Sequence, residues 1–126
     1  MKKIVVPEGL PKPTGYSPAI RVGNLLFISG QIAENAKGEI VGKGDFEKQV
    51  RQVFENLRTI LAAEGGTLDD LVQIRIYLTD IKNLAKFRQI RSEYFKKDPP
   101  ASTLIAVKNL IMEDLLIEID GIAALR

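Results

Sequence analysis

Val72-Gln73-Ile74-Arg75-Ile76-Tyr77-Leu78-Thr79 alternates apolar and polar residues at every step, the period of a β-strand with one face buried. The chain on either side of it reads as helix. Upstream, Phe46, Val50, Val53, Phe54, Leu57, Ile60 and Leu61 recur at helical spacing behind Asp45, a good N-cap, and Gly65-Gly66 stops the run. Residues 67–70 have the spacing of a capping box for one short turn. Downstream, Asn83 can cap a second helix reaching about residue 97, ended by Asp98-Pro99-Pro100. Nearer the start, Gly23-Asn24 separates Ile20-Arg21-Val22 from Leu25-Leu26-Phe27-Ile28 as a hairpin turn would. Asn35-Ala36-Lys37-Gly38 makes another turn before Glu39-Ile40-Val41, and two more strands fall near 103–107 and 115–123. Pro7, Pro11, Pro13 and Pro18 make the first eighteen residues an extended lead-in. The predicted order is ββ(β)αβαββ, an α+β domain whose mixed sheet carries two helices on one face. The other face needs cover, and self-association is the simplest supply.

Composition narrows the chemistry sharply. The 126 residues suit one domain, 1–126. Cysteine is absent, which excludes disulfides, thiol nucleophiles and cysteine metal sites. Histidine is absent too, removing the commonest general base near neutral pH. Any catalysis must use carboxylates, tyrosine, hydroxyls, lysine, backbone groups or water. A net charge of +2 gives no electrostatic case for nucleic acid or a membrane as partner. No apolar run approaches the ~20 residues needed to cross a bilayer, and the start is too short in apolar residues for a signal peptide. The expectation is a cytoplasmic protein.

Five segments, in order, resemble the reactive intermediate deaminase family (RidA, also called YjgF). They are Gly15-Tyr16-Ser17-Pro18-Ala19-Ile20-Arg21-Val22-Gly23-Asn24, Phe27-Ile28-Ser29-Gly30-Gln31, Gln52-Val53-Phe54-Glu55-Asn56-Leu57, the run from Val72 to Asp80, and Pro100-Ala101-Ser102-Thr103 with Glu118-Ile119-Asp120-Gly121-Ile122-Ala123. Singly each is weak; order and spacing across residues 15–123 carry the signal. The resemblance implies a chorismate-mutase-like fold and a homotrimer with small-molecule clefts between subunits. It also implies hydrolysis of enamines and imines such as 2-aminoacrylate to 2-keto acids and ammonia, with no metal or organic cofactor. Carried over residue by residue, it makes Tyr16, Ser29 and Gly30 cleft residues and Glu118 the group that positions the attacking water. Ser102 and Thr103 fall where the family binds substrate. Each has a plainer reading: Tyr16 as an amphipathic cover for the sheet, Gly30 as a strand-end glycine, Glu118 as part of a solvated polar face.

Two departures accompany the resemblance. Deaminating members read Pro-Ala-Arg where this chain reads Pro100-Ala101-Ser102, and serine cannot make the bidentate, charge-assisted pair that arginine makes with a substrate carboxylate. Losing one partner of a buried ion pair costs about 3–5 kcal/mol. In the second helix, Arg88 and Arg91 stand where the family commonly has asparagine and tyrosine. On a helical projection Arg91 falls within the apolar arc of Leu84, Phe87, Tyr94 and Phe95, with Arg88 at its edge. Either both snorkel to solvent or pair with a nearby carboxylate, or they replace the missing arginine in the cleft. Arg75 is a weaker third candidate. Three functions stay open: an imine or enamine deaminase; a non-catalytic metabolite-binding module; and an RNA-cleaving or chaperone-like protein, the RNase reading being disfavoured by the missing histidine and the lack of an aromatic stacking stripe.

Overall fold

The computed structural model describes all 126 residues, Met1–Arg126. Six strands form one mixed sheet: β1 (Lys2–Val5), β2 (Ala19–Val22), β3 (Leu25–Gln31), β4 (Leu71–Leu78), β5 (Ala101–Ala106) and β6 (Ile117–Ala124). Their spatial order is β1-β2-β3-β6-β4-β5. The last-made strand is thus inserted in the middle, antiparallel to β3 on one side and β4 on the other, while β5 runs parallel to β4. Two helices, α1 (Phe46–Ala63) and α2 (Leu84–Tyr94), complete the fold.

The α+β expectation holds, with a mixed six-stranded sheet and two helices. Asp45 caps α1 by accepting from the Lys48 N–H at 3.1 Å, and Gly65, at φ 77°, takes the left-handed conformation that ends it. The capping box at Thr67–Asp70 forms as read, opening a 3-10 turn. The apolar stripe of α1 (Val50, Val53, Phe54, Leu57, Ile60 and Leu61) is fully buried against Ile74, Ile76, Leu78, Ile117 and Ile119 of the sheet. Phe54 joins the helices, stacking on Tyr94 with centroids 4.4 Å apart and meeting Phe95 edge-on at 5.7 Å.

Four details differ from expectation. The N-terminal lead-in contains a strand: Lys3 and Arg21, register partners on β1 and β2, both reach Glu64 at the end of α1, at 2.9 and 3.2 Å. That pairing is long-range and leaves no turn signal. The tentative strand at Glu39–Val41 reduces to one bridge, Glu34 to Ile40. Asn83 makes no side-chain cap; Asp80 instead accepts from the Lys82 N–H at 2.9 Å and starts a 3-10 turn that leads into α2. The second helix stops at Tyr94, before the Asp98-Pro99-Pro100 signal, because Phe95 turns extended to reach the core.

One buried polar residue anchors this arrangement. Gln49, fully buried on α1, donates to the carbonyl oxygens of Gly42 and Asp114 and accepts from the Leu116 N–H at 2.8 Å. It pins the entrance of β6 to the helix. Gln49→Ala leaves three backbone groups without this partner, and urea unfolding should show a loss of about 2–4 kcal/mol. Lys86→Ala, which removes only a surface ion pair to Glu47, should stay within about 0.5–1 kcal/mol.

Candidate functional site

The face of the sheet away from the helices carries the first group of residues. On β6, Ile117, Ile119, Gly121 and Ala123 are buried against the helices, so Glu118 and Asp120 point the other way. Glu118 pairs in register with Tyr77, and Asp120 with Arg75. Between Ile28 and Gln31 of β3 the register with β6 slips, so that Ser29 and Gly30 together face Asp120. This is a β-bulge, a device that re-aims side chains.

The bulge makes room for Glu118. A Cβ at Gly30 would lie 2.8 Å from the Glu118 carboxyl carbon and overlap its oxygen. Glycine at position 30 is therefore the seat of the carboxylate. Ser29 donates its hydroxyl to the Ser17 carbonyl at 2.6 Å, and its N–H donates to the Pro18 carbonyl at 3.0 Å. With its proton committed, Ser29 offers the site lone pairs, and it holds the 16–18 segment so that the exposed Tyr16 stands at the rim. Tyr16, Ser29, Gly30 and Glu118 line one cavity of about 380 Å³, together with Ile32, Glu34 and Ile111.

That cavity contains two carboxyl side chains and no cationic one. Burial raises the Glu118 pKa, and the neighbouring Asp120 charge raises it further; burial raises that of Glu34. Asp120 itself is engaged, accepting from Arg75 Nε at 2.8 Å, Arg75 Nη2 at 3.1 Å and the Tyr77 hydroxyl at 3.1 Å. Arg75, the third arginine candidate, is thereby held on the sheet face and lines a different hollow.

The second group lies on the opposite side of the sheet. Ser102 pairs with Ile74, whose side chain faces the helices, and Leu104 pairs with Ile76. Arg88, Arg91 and Ser102 line one cavity of about 350 Å³ with Ser92 and Pro100. Arg91 is half-buried, its guanidinium 5.3 Å from the centre of the Phe87 ring, and burial lowers its pKa, with a further push from Arg88. Neither arginine has an acidic partner, and both line the hollow with Ser102. Thr103 pairs with Arg75 on the helix-free face and lines neither cavity.

Two residues escaped sequence reading. Asn56, buried on α1, donates to the carbonyls of Ile32 at 3.0 Å and Glu34 at 3.1 Å and so places one wall of the acidic cavity. Glu34 supplies the second carboxylate. The signal for Asn56 was present: with Gln49, it is a polar residue at helical spacing within the apolar stripe.

This sheet-and-helix domain has relatives of known family. The model of the family described as Endoribonuclease L-PSP matches residues 9–125. The chain is 46% identical over 125 residues to a RutC family protein of Pyrococcus horikoshii, covering 98% of each. It is 35% identical over 123 residues to the 3-aminoacrylate deaminase RutC of Acinetobacter baylyi, covering 97% of each. Among solved structures, a Rid family protein of Yersinia pestis superposes with TM-score 0.93 at 35% identity, over 99% of this chain and 100% of that one. The YjgF gene product of E. coli superposes at 0.89 and 30% identity, over 98% and 99%. The chain belongs to this L-PSP family of RidA/YjgF-like proteins. No helix is long and apolar enough to cross a membrane.

The raised carboxyl at Glu118 has a sign that can be tested. Its folded pKa lies above the ordinary value of 4.5, so the folded state holds its proton more tightly than the unfolded one. Stability therefore falls as pH rises from the ordinary value through the raised one. Glu118→Gln should be more stable than the native protein at pH 7, and the difference should shrink to nothing as pH drops below 4.5. Thermal melts across that range measure it.

Proposed function

We propose that the protein is a hydrolytic deaminase of enamines and imines, converting substrates like 2-aminoacrylate and water to a 2-keto acid and ammonia. The observation that carries this reading is Glu118: a desolvated, unpaired carboxylate seated on Gly30 in a cavity with no cation. The name of the Acinetobacter baylyi relative, a 3-aminoacrylate deaminase, supports the same reaction class.

The chemistry asks little of the protein. A protonated imine is already electrophilic, so the site needs to orient it and a water. Glu118 takes a proton from the water as its oxygen bonds to the imine carbon. It returns that proton to the nitrogen; the C–N bond then breaks, ammonia leaves, and the hydroxyl proton passes to the Glu118 carboxylate as the carbonyl forms. For an enamine, protonation at carbon comes first and yields the imine. A raised pKa brings a glutamate nearer neutrality, where it can both donate and accept. The acidic cavity also suits a cationic nitrogen.

The anionic end of such a substrate needs a cation, and Arg88, Arg91 and Ser102 stand on the other side of the sheet. Within one chain the two cavities open on opposite faces. A small substrate can touch both only if they come from two copies, which is why we place the reaction in clefts of a homotrimer. The helix-free face favours that assembly, since Ile4, Val22, Leu25, Phe27 and Ile105 are exposed on it. Light scattering should give three times the 14.0 kDa chain mass; a monomer at micromolar concentration would refute the shared cleft. Ser102 in place of arginine favours a second reading, a trimer that binds a metabolite without turning it over.

Imine generated in situ from 2-aminobutyrate by an amino-acid oxidase, with keto-acid formation followed against a protein-free control, tests turnover. Glu118→Gln should lower the enzymatic rate by about 10²–10⁴-fold; an unchanged rate removes Glu118 from the mechanism. Gly30→Ala is the sharper variant. The atoms nearest its new Cβ all belong to the Glu118 side chain and none to backbone, so folding should survive while activity falls with displacement of the carboxylate.

A further inference from the structure

Five of the seven arginines hold a carboxylate: Arg21 with Glu64, Arg51 with Glu47 and Glu93, Arg58 with Glu55, Arg75 with Asp120 and Arg126 with Asp70. The two that hold none, Arg88 and Arg91, stand together one turn apart on α2, in a cavity with no acidic wall residue. Each guanidinium is a cation with donors only and no acceptor. Like charges at this helical spacing repel. The ring of Phe87 offsets part of the desolvation of Arg91 and does nothing for Arg88. A surface that pairs every other arginine leaves these two open to an external anion.

The pair also separates two hollows. Beside the cavity toward Phe95 and Pro99, a second one of about 350 Å³ shares Arg88, Arg91 and Ser102 and continues to Ile81, Leu84 and Leu104. An anion lying across the arginines therefore has room on both sides of them.

We propose that this cavity binds a doubly charged anion, so that the preferred substrate is a 2-imino acid with a second carboxylate on its side chain. The substrate assignment rests on the imine-deaminase reading; the anion pocket itself does not. One carboxylate matches one guanidinium fork and leaves the neighbouring charge uncompensated. Two carboxylates a few atoms apart, or a phosphate-like group, engage both forks. The Ser92 and Ser102 hydroxyls supply neutral donors beside them.

Calorimetry on the whole protein with oxaloacetate, 2-ketobutyrate and orthophosphate separates the possibilities. The expected result is oxaloacetate binding at least about 10-fold tighter than 2-ketobutyrate, with the preference falling to about one in Arg88→Ala. Arg88 is exposed, so that variant should fold, and Arg91→Lys provides a second, keeping charge and losing the fork. Equal affinity for the two keto acids overturns the proposal. Orthophosphate binding tighter than oxaloacetate keeps the dianion pocket and overturns the imino-diacid assignment. Ammonia release from the imines of aspartate and 2-aminobutyrate, generated in situ by oxidases, completes the test. Both imines hydrolysed without preference overturns the proposal and leaves the deaminase reading intact. Dianion binding without acceleration of either imine overturns the deaminase reading and the substrate assignment with it, while retaining the anion pocket.

Discussion

The position of β6 between β3 and β4 is the constraint on which the molecule depends. The strand comes last in the chain yet provides the only lateral bond between the β1-β2-β3 ribbon and the β4-β5 pair. Its alternation must satisfy two surfaces at once: Ile117, Ile119 and Ala123 fill the core under α1, while Glu118 and Asp120 face away. A one-residue slip would bury both carboxylates beneath the helix, so the apolar set fixes the acidic set. Gln49 guards this register from the helix side by holding the backbone on both sides of Leu115.

From that register follows the division of charge. Residues of β6 and the bulge of β3 build a cavity with Glu34 and Glu118 and no cation; α2 and β5 build one with Arg88 and Arg91 and no acid. The parallel pairing of β4 with β5 sends Ser102 to the helix side together with Ile74, whereas the antiparallel pairing with β6 sends Glu118 to the other side opposite Tyr77. A zwitterionic substrate is complementary to the two cavities taken together and to neither alone. The proposed assembly would bring the two together while covering an apolar sheet face.

Much of this was legible in the chain. The period-two run around Ile74 and the capped stripe behind Asp45 gave strand and helix directly, because each depends on contacts local in sequence. The alternation Ile117-Glu118-Ile119-Asp120 placed Glu118 on a sheet face before any pairing was known. What escaped was non-local. β1 exists through hydrogen bonds to a strand beyond four prolines and through Glu64, and no nearby residue announces it. The bulge at Ser29-Gly30 depends on a partner strand far along the chain, so the resemblance marked Gly30 as a cleft residue while nothing local showed it as the seat of Glu118. The resemblance put Thr103 with Ser102 at the substrate, whereas neighbours on a strand point to opposite faces.

Positions 88, 91 and 102 are physically linked. Position 102 and the helix positions 88 and 91 line the same hollow, so their charges are not independent. An arginine at 102 added to Arg88 and Arg91 would set three guanidinium groups around one cavity with no carboxylate in its wall. Each would raise the cost of desolvating the others. A small neutral hydroxyl at 102 relieves that repulsion and leaves space into which the longer helix side chains can extend. A cation on a helix and a cation on a strand also differ in what they can hold. A strand arginine presents one fork at one height above the sheet, whereas two arginines at i and i+3 present two forks about one helical turn, ~5 Å, apart. The spacing of the proposed dianion is thereby tied to the helix.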